Sequence, residues 1–232
     1  MKKTNNLNKN FDSTINDLSI PKKSQRLTKT ERALFLLPSN LKDILIGLIL
    51  GDIYLQKWTP NGNPNLQFEQ GLINKEYVFH LYDLFKNYCN FAPKIHERKP
   101  DPRTNKVYSS VRFNTLSLPC FNELYDLFYP GDHKIIPLNI SDLLTPIGLA
   151  YFSMDDGNKS RNNFIFNTNS YTLQEVELLS SVLKDKFNLD CTLQKYSTNK
   201  NQYRVNIRTK SVPLFKTLVS PYFHDSMRYK LN

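Results

Sequence analysis

Two stretches decide how this chain folds: Leu45-Ile-Gly-Leu-Ile-Leu-Gly-Asp52 and Leu149-Ala-Tyr-Phe-Ser-Met-Asp-Asp-Gly157. Their aspartates Asp52 and Asp156 stand 104 residues apart, and each follows an apolar run. Gly47 and Gly51 are four residues apart, so on a helix they share a face and leave a bare stripe that a second helix can approach closely. Four of the seven glycines (Gly47, Gly51, Gly148, Gly157) lie in or beside these stretches. The expected arrangement is a pair of helices packed on each other. Side by side and parallel, they would bring Asp52 and Asp156 together at their C-terminal ends, with Asp155 alongside. An acid there meets the negative end of the helix macrodipole, and neighbouring acids repel, so the cluster costs stability unless a cation is present. The carboxylates of Asp52, Asp155 and Asp156 with the Gly51 carbonyl form a hard-oxygen set suited to Mg²⁺ or Mn²⁺, which keeps waters and contacts phosphate. Two aspartates that merely end helices in solvent are the plain alternative.

Working outward, the chain repeats itself. Arg112-Phe-Asn-Thr-Leu-Ser-Leu-Pro-Cys-Phe121 matches Asn206-Ile-Arg-Thr-Lys-Ser-Val-Pro-Leu-Phe215 at Thr115/Thr209, Ser117/Ser211, Pro119/Pro213 and Phe121/Phe215. In the first half the hydrophobic periods predict a helix over 41–52, strands over 53–58 and 64–70, a helix from Lys75 to Tyr88, strands over 94–99 and 106–114, and a helix over 119–128. In the second half they predict a helix ending near Asp156, a strand over 163–168 and a helix opened by Thr172, with Glu175 as its capping-box partner. Strands over 191–196 and 202–208 and a helix over 211–219 follow. The fold class expected is α+β, with αββαββα twice. The division expected is a flexible basic tail (1–38), an N-terminal half (39–140) and a C-terminal half (141–232).

Composition narrows the function. The 232 residues carry 31 Lys+Arg against 21 Asp+Glu, a formal charge of +10, which points to a polyanionic partner. The segment 1–38 holds eight Lys/Arg and three acids, half of that surplus; it reads as a flexible arm, either solvated or laid along nucleic acid. With 40% hydrophobic residues, 15 Phe and 13 Tyr, the chain can bury a real core, which excludes wholesale disorder. No apolar run approaches the roughly 20 residues of a membrane-spanning helix, so no membrane partner is expected. Three widely spaced cysteines (Cys89, Cys120, Cys191) and four scattered histidines argue against a disulfide scaffold or a zinc site.

Strand alternation supplies candidate contacts, since period two gives each strand a buried and an exposed face. Tyr203, Val205 and Ile207 leave Arg204, Asn206 and Arg208 opposite; Val111 and Phe113 leave Ser110, Arg112 and Asn114. Leu66 and Phe68 leave Asn65, Gln67 and Glu69, and Phe164 and Phe166 leave Asn163, Ile165 and Asn167. Arg, Asn and Gln are side chains that read base edges in the major groove. Lys57 and Lys195, in neighbouring strands, add cations.

The two opening stretches resemble the paired LAGLIDADG motifs of the homing endonucleases, single-chain two-motif type, with similarity extending over about residues 41–232. Ile53 stands where the motif ends in glycine, Tyr151 at a usual glycine and Asp155 at a usual small residue; both acid positions are filled, by Asp52 and Asp156. The resemblance implies two pseudo-symmetric repeats whose antiparallel β-ribbons form a saddle over duplex DNA. It also places a basic residue near each acid, at Lys134 and Lys230, as catalytic partners. It further implies a monomer that cuts both strands of a long pseudo-palindromic target with a divalent metal, leaving short 3′ overhangs, in support of intron mobility in mitochondria. An intron-RNA maturase and a catalytically inactive DNA-binding module are the rival readings.

Overall fold

The structure is a computed structural model and describes residues 27–131, 133–197 and 200–232. A short helix α1 (Lys29–Ala33) precedes α2 (Ser39–Leu50), strands β1 (Tyr54–Gln56) and β2 (Asn65–Gly71), and α3 (Lys75–Phe85). Strands β3 (Lys94–Glu97) and β4 (Ser109–Asn114) and helix α4 (Asn122–Phe128) complete the first half. After α5 (Ile140–Leu143) come α6 (Pro146–Asp156), β5 (Gly157–Ser160), β6 (Asn163–Phe166), α7 (Leu173–Phe187), β7 (Cys191–Ser197), β8 (Lys200–Ile207) and α8 (Val212–Val219). A 3₁₀ turn over Asp225–Lys230 ends the fold. Each half forms a four-stranded antiparallel sheet of the same order, β1-β2-β4-β3 and β5-β6-β8-β7. This is the mixed α+β architecture expected. The predicted elements all appear, most with shifted ends, and β5 is a strand for which the sequence pattern gave no separate span.

Local chemistry explains the boundaries. Thr172 and Glu175 form the expected capping box at the start of α7, the Glu175 carboxylate accepting from the Thr172 N–H at 2.7 Å. That helix stops at Asn188, which takes the left-handed conformation (φ 55°) tolerated by asparagine. Helix α6 opens on Pro146, with the Thr145 hydroxyl accepting from the Gly148 N–H.

Helices α2 and α6 are the seam. An added Cβ on Gly47 would lie 1.9 Å from the Gly148 carbonyl oxygen, one on Gly148 2.9 Å from the Asp43 oxygen, and one on Gly51 2.5 Å from Asp155 Cβ. These pairs climb both helices in the same direction, so the helices run parallel and touch backbone to backbone. Around the contact Leu45, Leu48, Ile49, Leu50, Leu149, Ala150, Phe152 and Met154 are wholly buried, joining the two halves in one core. The repeat is real at its apolar end: Phe121, closing the 3₁₀ turn before α4, and Phe215, in the first turn of α8, are both fully buried.

The tail expectation needs correction for residues 27–38. Here α1 is opened by a Thr28/Glu31 capping box, Arg32 donates to the Ser117 carbonyl at 2.9 Å, and the Tyr88 hydroxyl donates to the Leu36 carbonyl. Phe35 and Leu37 pack on the core, so apolar burial anchors a stretch whose charge suggested an arm. Residues 1–26 lie outside the described residues. No helix among the described residues is long and apolar enough to cross a membrane.

Candidate functional site

Because α2 and α6 are parallel, their C-terminal ends emerge together. Asp52 is exposed, and its Oδ2 accepts from Gln70 Nε2 at 2.6 Å. Asp155, on the other helix, points across the seam: its Oδ2 accepts from the Asp52 N–H at 3.3 Å and its Oδ1 from the Tyr77 hydroxyl at 3.0 Å. Burial, and then the charges of Asp52 and Asp156, push the Asp155 carboxyl well above the usual carboxylate range. Asp156 is pushed up to about 7, first by burial and then by Asp52, with Lys134 and Lys230 pulling the other way. Three acids held this close cannot all be charged without compensation.

The two lysines supply part of it in matching ways. Lys134 Nζ donates to the Gly51 carbonyl at 2.6 Å, and Lys230 Nζ to the Asp155 carbonyl at 2.8 Å and to the Met154 carbonyl. Each ammonium therefore sits on the backbone oxygen of the residue just before Asp52 or Asp156. Burial lowers both ammonium pKa values, against the raising effect of the three aspartates. A cation on the last carbonyls also complements the helix macrodipole. Lys230, two residues from the chain end, is held by Met227 and Leu231, both buried. Lys134 is carried on a stretch pinned by Ile135 N–H to the Phe128 carbonyl and Ile136 N–H to Glu175 Oε1.

Other residues fix this end of the molecule without having been anticipated. Tyr171, from the second half, donates to the Leu50 carbonyl at 2.8 Å, and its ring lies 5.8 Å from the Lys134 ammonium. Gln70 falls on the same side of β2 as Leu66 and Phe68, so alternation assigns it to the core; only its place at the strand end, beside Asp52, gives it a polar partner. Tyr77 looks like an ordinary apolar-face residue of α3. Two sequence-derived roles also change: the Gly51 carbonyl is shared with an ammonium, and the Asp155 carboxyl is spent on protein donors. Among the described residues no group of three or more His, Cys, Asp or Glu side chains is gathered for a metal. What the seam offers is one carboxylate per half, Asp52 and Asp156. That donor set fits a divalent cation completing its shell with water and phosphate.

The strand faces are partly as expected. Cross-strand pairs Gln67/Asn114 and Glu69/Arg112 put these four side chains on one face of the first sheet. Arg112 and Asn114 are exposed, and Gln67 bonds Gln56. Glu69 accepts from Ser110 Oγ at 2.6 Å and from Arg98 at 3.0 Å, which lowers its pKa. Arg98 thus joins this face. In the second sheet Lys195 is exposed, Arg204 stacks 3.8 Å from the Tyr196 ring centre, and Arg208 pairs with Asp190 at 3.5 Å. Asn163 accepts from Thr209 at 2.7 Å.

Four expected contacts are corrected. Lys57 turns away to Asp126 at 3.2 Å and the Tyr125 ring at 4.1 Å, because its aliphatic stem finds cover there. Asn167 donates its side-chain N–H to the Asp156 carbonyl at 3.0 Å and so serves the acid rather than the open face. Asn206 is 4% exposed and donates to Thr192 Oγ1, and Asn65 is 2% exposed. Neighbouring strands and loops roof both, which alternation within one strand does not register.

A profile of the LAGLIDADG DNA endonuclease family matches residues 42–215. The chain belongs to this family. Among curated LAGLIDADG relatives, the cytochrome b mRNA maturase bI2 of Saccharomyces cerevisiae is 32% identical over 201 residues, 83% of this chain and 47% of the maturase. The chain therefore spans about half the length of that relative. A probable intron-encoded endonuclease 1 of Wickerhamomyces canadensis is 36% identical, covering 82% of this chain and 83% of the relative. Of solved structures, the homing endonuclease I-WcaI bound to its DNA recognition sequence superimposes with a TM-score of 0.82 at 31% identity, covering 93% of this chain and 96% of I-WcaI.

The departures from the LAGLIDADG motif now have physical explanations. Ile53 is buried and its N–H caps the Leu48 carbonyl. Tyr151, where a glycine is usual, places its hydroxyl 2.8 Å from His80 Nε2, and the His80 ring stacks on His224 at 4.5 Å. Burial first, then His224, holds the His80 imidazole down at about 4. Asp155, where a small residue is usual, fits because Gly51 opposite it has no side chain.

Proposed function

We propose that this protein is a site-specific DNA endonuclease that hydrolyses both strands of a long, pseudo-palindromic target across the α2–α6 seam. The observation that carries the reading is the duplicated arrangement of an acid at the end of each parallel helix with a lysine on the carbonyl before it. Asp52 and Asp156 would hold the divalent cation, Mg²⁺ or Mn²⁺. When bound, such a cation supplies Lewis-acid stabilisation of phosphate oxygens and lowers the pKa of a water. This chain's own residues do the rest. Gln70 and Asn167 orient the two acid-bearing turns, and Tyr171 ties α2 to the second half. Lys134 and Lys230 present positive charge beside the scissile phosphates, where negative charge builds in an in-line displacement. Arg112, Asn114, Gln67, Lys195, Arg204 and Arg208 supply sequence readout on the sheet faces. A single chain with two similar, non-identical halves acts as a monomer on a target of matching near-symmetry. The similarity to I-WcaI supports duplex DNA as the ligand.

The name of the cytochrome b mRNA maturase relative favours a second role, in binding intron RNA, and that of the intron-encoded endonuclease relative favours intron mobility, in a mitochondrial setting, as the purpose. Incubating the protein and Mg²⁺ with plasmids carrying intron-insertion junctions separates the two: cleavage to short 3′ overhangs supports the nuclease. No cleavage at any junction, with tight intron-RNA binding, would overturn it in favour of the maturase.

A further inference from the structure

Glu69 is an acid on a sheet face otherwise suited to a polyanion. It pairs in register with Arg112, which pairs in turn with Lys94 on the next strand, and Arg98 reaches it from beyond the end of β3 at 3.0 Å. Three cations around one carboxylate keep this row attractive to phosphate, so the acid adds no net repulsion. Its Oε1 carries both protein contacts, accepting from Ser110 Oγ at 2.6 Å and from Arg98. Its Oε2 has no hydrogen-bond partner among the described residues, and the side chain is 40% exposed. The bonds from Ser110 and Arg98 hold the carboxyl below its usual range, so the free oxygen is a positioned, ionised acceptor. Arg112 beside it is exposed.

We infer that Glu69 is a specificity-determining residue that selects a cytosine in the target duplex. In the major groove only cytosine N4 and adenine N6 present donors; guanine O6 and N7 and thymine O4 are acceptors, which a carboxylate repels. Adenine sets its N7 acceptor beside the donor, whereas cytosine offers the donor alone, so a single ionised oxygen favours cytosine. Arg112, whose Cβ lies across the strand pair at about 4.5–5.5 Å, is the kind of side chain that pairs with guanine O6 and N7. A C·G pair presents both groups side by side. Gln70, next along the strand, bonds Asp52, so the cytosine falls at the inner end of the first half-site, close to the cut. The second sheet has no counterpart. Tyr54 pairs with Gln67 and Asn158 with Ile165, each two residues past its helix-end acid, so the place of Glu69 is taken by Asn167, which bonds the Asp156 carbonyl. The preference therefore belongs to one half-site only. It rests on the proposed duplex DNA target and not on cleavage.

The test is binding selection from a randomised duplex DNA library, in EDTA so that cleavage plays no part, followed by gel-shift titration of the selected duplex. The parent should select C·G at one inner position of one half-site. Glu69→Gln should exchange it for A·T, since glutamine pairs with adenine. Glu69→Ala should lose the preference there by about tenfold or more, with preferences elsewhere unchanged. N4-methylcytosine at that position puts a methyl group in place of the groove-side N–H. It should weaken the parent by about tenfold or more and leave Glu69→Ala unaffected, and the parent's own response is read without any variant. Selection unchanged at every position in both variants, equal affinity of the parent for methylated and plain duplex, or an even loss over all sequences, as from a residue that only braces Arg98, would overturn the assignment. A parent that selects no sequence would overturn the site-specific DNA reading and this assignment with it. A selected site indifferent to Glu69 overturns the assignment alone.

Discussion

Gly47→Ala is the perturbation that bears most directly on the seam. The new methyl carbon would lie 1.9 Å from the Gly148 oxygen, 2.7 Å from its carbonyl carbon and 2.9 Å from its Cα. Carbon and carbonyl oxygen approach no closer than about 3.3 Å, so roughly 1.4 Å must be relieved. All three atoms are backbone, so no rotamer change can relieve it; only separation of α2 from α6 can. Overpacking a core costs about 1–3 kcal/mol where side chains yield, and a backbone clash belongs at the top of that range. At about 2–4 °C per kcal/mol for a chain of this size, a loss near 3 kcal/mol lowers the melting temperature by about 6–12 °C. Separation also draws Asp52 away from Asp156, so cleavage should fall together with stability. The matched control is Gly71→Ala, where an added Cβ meets nothing within 4 Å. Thermal unfolding followed by circular dichroism reads both variants. Equal melting temperatures for Gly47→Ala and the parent would refute backbone contact at the seam.

Asp156, pushed up to about 7 from an unfolded value near 3.9, binds its proton more tightly when folded. Its contribution to stability is whole below about pH 4 and is lost as pH rises to about 7. Metal-free protein should therefore melt at lower temperature at pH 7.5 than at pH 5, and Asp156→Asn should flatten that slope; an unchanged slope in the variant would count against the buried acid cluster. Lys134→Met and Lys230→Met should each slow cleavage about 10²-fold or more while leaving affinity for duplex DNA nearly unaltered, as measured by single-turnover kinetics and gel shift. Parental rates in both would remove the lysines from the chemistry. Tyr171→Phe deletes the hydroxyl bonded to the Leu50 carbonyl and should cost about 1 kcal/mol in urea unfolding; no change would show that water replaces it.

The seam was legible in the sequence because close helix contact requires glycine and chemistry requires acid, and both requirements leave their mark on residue identity. Gly47, Gly51 and Gly148 lie where two backbones meet, and Asp52 and Asp156 where two helices end. The sheets were legible through Leu66/Phe68, Val111/Phe113 and Val205/Ile207, whose alternation is a one-strand property. What escaped depends on two or more elements at once. Asn65 and Asn206 alternate as exposed residues but are roofed by their neighbours, and Lys57 is drawn to Tyr125 and Asp126 across the fold. Gln70 and Tyr77 carry polar tips on apolar faces, and only the position of the seam gives those tips partners. The stretch 27–38 was read by its charge, yet Phe35 and Leu37 decide where it goes.

The central claim is that the two helix-end aspartates form the cutting site, one for each strand. It is tested most directly on a supercoiled plasmid carrying a target selected from a randomised library. In Mg²⁺, nicked and linear products are followed for the parent, Asp52→Asn and Asp156→Asn, with DNA affinity measured in parallel. The parent should yield linear DNA, while each variant binds within about threefold of the parent and yields none. Linear product at the parental rate from either variant would contradict the claim.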